Sequence, residues 1–168
     1  NMRAFGYVTD RYLSIPDAII SPQIFLLRYM TIQRFAWLDM CGMYALGFLG
    51  LIALCRKLRL SSAAFTVMFL LFNFNGHILA HYTIGHATWG GYFLFPWFAF
   101  LVISLIEGKR GWTWVALMAG LLFIIFLQGS YHQFVWCLLF LGFLAFTDHS
   151  IFLPSLGGAT FAVLLSLF

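Results

Sequence analysis

The stretch FAWLDMCGMYALGFLGLIALCRKLR, residues 35–59, holds one charged residue, Asp39, before Arg56, Lys57 and Arg59 close it. A hydrocarbon core of about 30 Å takes roughly 20 apolar residues in helical form. Residues 35–55 meet that length, so the stretch predicts a membrane-crossing helix that stops at a basic turn. Gly42, Gly47 and Gly50 on this helix would let a neighbouring helix approach closely.

The rest of the chain has the same character. Its 168 residues are 63% hydrophobic, 20% aromatic and 8% charged, with mean hydropathy +0.96. Soluble domains carry about 25% charged residues, so a soluble fold lacks the charges to cover its surface. The class predicted is an all-α integral membrane protein, a polytopic transmembrane helix bundle of about five to six spans. Net charge is +4, but Lys and Arg close apolar runs instead of forming a stripe among aromatics, which argues against nucleic-acid binding. Cys41, Cys55 and Cys137 lie in apolar segments without CxxC spacing and read as small buried hydrophobes.

Further apolar runs follow at 61–80, at 91–106 up to EGKRG, and at 112–128. QGSYHQ (128–133) reads as a tight polar turn, 134–146 as a short fifth span, and DHSIFLPSLGG breaks the chain before a final run. Residues 1–34, interrupted by Pro16 and Pro22, form an extracytoplasmic lead-in, and 35–168 form the transmembrane domain. Within SPQIFLLRYMTIQRFAWL, Ile24, Leu27 and Met30 share a face while Arg28 and Arg34 lie off it. That pattern suits an amphipathic helix in the membrane interface; a plain lead-in to the first span is the alternative. The chain ends within FAVLLSLF, and the domain is expected to continue beyond both ends.

Arg56, Lys57, Arg59, Lys109 and Arg110 occupy two loops on one side, which the positive-inside rule assigns to the cytoplasm. QGSYHQ, the lead-in and NGHILAHYTIGH (75–86) then face outward. His77 and His81, four residues apart, share a helix face, whereas His86 lies beyond Gly85 in a loop with Trp89. A helix that ends here beside water-accessible backbone predicts an outward-facing polar cleft, and QGSYHQ would bring His132 alongside. The histidines suit hydrogen bonding to a substrate or headgroup. His77, His81 and His86 also form a candidate set for a divalent metal, and plain interfacial anchoring is the third alternative. Asp39, one turn into its span, and Asp10 and Asp17 in the lead-in are the candidate catalytic carboxylates. Asn73, Asn75, Gln128 and Gln133 read first as interhelical hydrogen-bonding residues, with binding of sugar hydroxyls as the alternative.

The order of these features resembles the GT-C glycosyltransferase superfamily, including its YfhO-like and dolichyl-phosphate-mannose mannosyltransferase-like groups. The residues that carry the resemblance are the SP segment, ALCRKLRLSS (53–62), FNFNGHILAH (72–81) and GHATWGGYFLFPWFAFLV (85–102) followed by a basic turn, within roughly residues 20–147. The resemblance implies a many-helix protein of the bacterial inner membrane that takes a sugar from a polyprenyl-phosphate donor on the outer side. The family's catalytic acid lies in the first outer loop; Asp10 and Asp17 fall in that region without its paired-acid motif, so no catalytic residue is carried over. By chemistry alone, Arg28, Arg34, His77, His81, His86 and His132 are the expected binding partners for a lipid-linked phosphate. The expected partners are membrane lipid, a polyprenyl-phosphate sugar and other membrane subunits. The alternative function is an accessory subunit of a larger membrane complex that touches haem or pigment.

Overall fold

The computed structural model describes residues 21–83, 87–109 and 111–166, which contain helices and turns but no strand. A leading 3-10 helix, Pro22–Arg28, precedes α1 (Ile32–Leu58), α2 (Ser62–Asn73) and α3 (Gly76–Thr83). A linking 3-10 helix, Ala87–Leu94, runs into α4 (Phe95–Ile106), followed by α5 (Trp112–Leu127), α6 (Tyr131–Thr147) and α7 (His149–Ser166). Two helical stretches, Ile32–Leu58 and Thr88–Ile106, are long and apolar enough to cross a membrane, while the other apolar helices are shorter.

α1 has 27 residues, about 40 Å of helix, and extends past both ends of the predicted 35–55 run. It ends where Arg59 adopts φ 53°, a left-handed conformation uncommon outside glycine. Ser61 then caps α2, its hydroxyl accepting from the Ala64 amide at 3.2 Å. The predicted span 61–80 is broken at Phe74, so α2 stops at Asn73 and α3 restarts at Gly76. The carbonyls freed at that break have partners from elsewhere in the fold. Tyr44 donates to the Asn73 carbonyl at 3.1 Å and Tyr92 to the Phe72 carbonyl at 3.0 Å. Asn75 opens α3, accepting from the His77 amide at 3.0 Å.

Two other expectations are corrected. The lead-in is no continuous amphipathic helix, because the leading 3-10 helix ends at Arg28 and α1 starts afresh at Ile32. Ile24, Leu27 and Met30 are nonetheless half-buried and Arg28 and Arg34 exposed, since a repeat of three residues per turn also keeps positions i and i+3 aligned. DHSIFLPSLGG breaks the chain as expected but only at its first residue, the extended Asp148: α7 starts at His149 and passes through Pro154. Gly157 and Gly158 lie along Val115, Trp114 and Met118 of α5, where small residues permit the approach.

The main core joins α4, α5, α6 and α7 around Leu105, Met118, Leu122 and Ile125, all fully buried. Trp114 spans the α4–α5 contact, donating its indole N–H to the Leu101 carbonyl at 2.7 Å. α1 packs on α4 through Gly50, where a Cβ would lie 2.9 Å from Pro96 and 3.0 Å from Trp97. Gly47 similarly meets Phe93, but a Cβ at Gly42 would meet nothing within 4 Å, so only two of the three glycines serve a close approach.

The resulting bundle has two chemically distinct ends. At one, Lys57 at the end of α1 pairs with Glu107 after α4 at 2.6 Å and lies over the Phe100 ring. At the other end are Gln23, Asp39, Trp89, His132 and the α5–α6 turn.

Candidate functional site

The α5–α6 turn organises the second end. Gly129, at φ 70°, makes the sharp reversal after Gln128, and α6 begins at Tyr131. The predicted polar turn is therefore only three residues long, and Tyr131, His132 and Gln133 form the first turn of α6. Ser130 is fully buried; it accepts from the Gly91 amide at 3.0 Å and donates to the Thr88 carbonyl. These bonds hold the linking 3-10 helix against α6.

Trp89 projects from the linking helix into a group of histidines. The His81 ring stacks on it with centroids 4.5 Å apart and planes at 17°, and His77 meets it edge-on at 4.9 Å. His77 and His81 lie 4.5 Å apart, as their spacing on α3 predicts. On the other side His132 approaches Trp89 at 4.6 Å and Trp136 at 5.3 Å. The expected convergence of His77, His81 and His132 is thus present, with a tryptophan at its centre. Trp89 sits in a helix, not in the predicted loop.

Beneath this aromatic group are polar atoms without partners in the described structure. Gln133 is fully buried, yet neither its amide nitrogen nor its amide oxygen has a hydrogen-bond partner, and the same holds for Nε2 of His132. An unsatisfied buried polar group costs about 1–3 kcal/mol. Gly91 leaves the space for it, since a Cβ there would stand 2.5 Å from the Gln133 amide oxygen. Gln133 therefore does not form the interhelical bond expected of it.

A second polar group lies where the leading 3-10 helix crosses α1 and α5. Gln23 donates to Asp39 at 2.9 Å and to Gln128 at 2.7 Å, and Gln128 donates back to Gln23 at 3.1 Å. These residues edge a cavity of about 550 Å³ whose other walls include Phe35, Leu38, Met43, Leu46, Leu94 and Ile124. Gln128 thus makes the inter-element bond expected from its position.

The other predicted site residues are distributed differently. Arg28 and Arg34 are exposed, and Arg34 lines a separate groove with Gln33, Trp37, Leu38 and Cys41. Asp10, Asp17 and His86 lie outside the described residues, as does Arg110 of the basic turn. Among the described residues no group of three His, Cys, Asp or Glu is arranged to hold a metal ion; His77 and His81 face each other edge to face. Of the cysteines, Cys137 is buried, Cys55 half-buried and Cys41 exposed, so the expectation of burial fails at Cys41. Sequence reasoning missed Gln23 and Ser130, and it noted Trp89 without its central role. Pro22–Gln23 reads as a helix start, and nothing local marks its partner 105 residues away. No family model, curated protein or solved structure matches the chain.

Proposed function

We propose that this chain is a membrane-embedded, glycosyltransferase-like unit whose histidine end receives the headgroup of a lipid-linked sugar on the extracytoplasmic side of a bacterial inner membrane. The observation that carries the reading is the pairing of the Trp89 group with the partnerless amide of Gln133 and Nε2 of His132. Aromatic faces accept the C–H faces of a sugar ring, and buried amides and imidazoles complete hydrogen bonds with its hydroxyls or with phosphate oxygens. Embedding in lipid is supported by large apolar side chains that stand outside the core, among them Leu71 at 73%, Leu153 at 76% and Phe146 at 86% exposure. It is also supported by the two membrane-length helices and by Lys57, Arg59 and Lys109 at the end opposite the histidines.

The chemistry required of such a site is positional. Histidine and amide donors would steady the leaving phosphate, and a carboxylate would take the acceptor proton. Asp39 is the described carboxylate nearest this end, set beside Gln23. The test is a titration of the detergent-purified chain with a short-chain prenyl-phosphate hexose, followed by tryptophan fluorescence. Saturable binding is expected, weakened at least about tenfold by Trp89→Ala or His132→Ala. Equal binding of the prenyl phosphate without its sugar would show that the headgroup is not recognised. No binding of either compound would overturn the proposal in favour of an accessory subunit.

A further inference from the structure

Where α2 breaks from α3, oxygen atoms gather whose neighbouring protons are already in use. Phe72 and Asn73 end α2, so their carbonyls fall outside its hydrogen-bonded ladder. Tyr44 of α1 gives its hydroxyl proton to the Asn73 carbonyl, and Tyr92 of the linking 3-10 helix gives its own to the Phe72 carbonyl. Asn73 itself is buried, at 3% exposure. Its amide nitrogen donates back along α2 to the Phe69 carbonyl at 3.2 Å, while its amide oxygen has no hydrogen-bond partner among the described residues. The carbonyl and hydroxyl oxygens and this vacant amide oxygen are left with lone pairs to offer.

Aromatic packing keeps the hydroxyls where they are. Tyr92 stacks on Phe72 with ring centroids 4.4 Å apart. The buried Phe93 lies against Tyr44 at 4.5 Å and against Tyr92 at 5.5 Å, and Met43 and Ile78 complete the cluster. Neither tyrosine can turn its proton toward Asn73 without giving up its carbonyl bond. The vacancy at Asn73 is therefore built into the fold, and it is completed from outside.

The character of the occupant follows from the groups that face it. The last carbonyls of α2 form the negative end of its dipole, which favours positive charge. A water molecule would donate to the Asn73 oxygen but would leave that dipole unanswered, whereas a metal cation takes lone pairs from several oxygens at once. No carboxylate belongs to this group, and calcium and magnesium sites draw on carboxylates. Neutral carbonyl, amide and hydroxyl oxygens at an interrupted helix suit a monovalent ion.

We propose that the α2–α3 break binds an alkali-metal cation, sodium or potassium. Its ligands are the Asn73 amide oxygen, the Phe72 and Asn73 carbonyls and the hydroxyl oxygens of Tyr44 and Tyr92. The ion closes the break and fixes the start of α3, and with it the placing of His77 and His81 against Trp89. The inference does not rest on sugar transfer.

The test is thermal unfolding of the full detergent-purified chain in sodium, potassium or N-methylglucamine chloride at one ionic strength. The midpoint should rise saturably with an alkali ion, by about 3–6 °C at roughly ten times its dissociation constant, and not with N-methylglucamine. The sodium and potassium arms show which ion the site prefers. Asn73→Leu, a change of similar volume, should fold and lose the rise. Equal midpoints in all three salts, as a water at Asn73 would give, would overturn the proposal, and so would a full rise in Asn73→Leu. If that variant does not fold, Tyr92→Phe carries the comparison. Loss of one ligand oxygen should weaken the ion about tenfold, and unchanged affinity would refute the assignment.

Discussion

Gln133 poses the sharpest question at the residue scale. A fully buried amide without a partner among the described residues is a cost the fold carries unless something else completes it. If its role is to meet a ligand, Gln133→Leu should raise stability by about 1 kcal/mol, because an unsatisfied amide is replaced by a side chain of similar volume. The same change should weaken binding of the prenyl-phosphate hexose. Thermal unfolding in detergent, measured beside the titration, separates the two effects; lower stability with unchanged binding would make Gln133 purely structural. Gly91→Ala tests the packing around it. The added methyl would meet Gln133 at 2.5 Å and Ser130 at 2.6 Å, and it should destabilise by about 1–3 kcal/mol. Denaturant unfolding of that variant is the check. The histidines themselves were legible in part: four-residue spacing places His77 beside His81, but no local signal joins Trp89 to His132, which is brought close only by folding.

Helix ends decide the next scale. Gly129 makes the reversal between α5 and α6 at φ 70°, a conformation that favours glycine. Gly129→Ala should cost about 1 kcal/mol and shift the His132–Trp89 contact, measurable as a change in tryptophan emission together with a lower unfolding midpoint. Gly50→Val should act elsewhere, prising α1 from Pro96 and Trp97 with a loss of about 1–3 kcal/mol in denaturant unfolding. Element ends flanked by basic residues, such as the close of α1 before Arg59, were readable because charge and hydropathy change together. The break between α2 and α3 was not, because the polar run Asn73, Asn75, Gly76 and His77 reads equally as the last turns of one continuous span, and its stability comes from Tyr44 and Tyr92 on other elements. The continuity of α7 through Pro154 was hidden for a similar reason, because α5 supports that helix from outside its own sequence.

For the whole molecule, the organising feature is polarity along the bundle. Lys57 and Glu107 close one end, while Gln23, Asp39, Trp89 and His132 gather at the other. Composition made the helical class and the apolar character evident from the start, and the basic turns indicated which ends belong together. The sites at the opposite end were less visible, because their contacts link residues far apart in the chain, as Gln23 and Gln128 do. The most direct test of the account is the accessibility of the two ends in sealed, oriented vesicles. With Cys41, Cys55 and Cys137 replaced by alanine, single cysteines are placed at Leu60 and at Tyr29, which is exposed at the Gln23 end, and treated with a membrane-impermeant maleimide. The account predicts labelling of Tyr29→Cys from the extracytoplasmic side only and of Leu60→Cys from the opposite side only. Labelling of both positions from one side would contradict it.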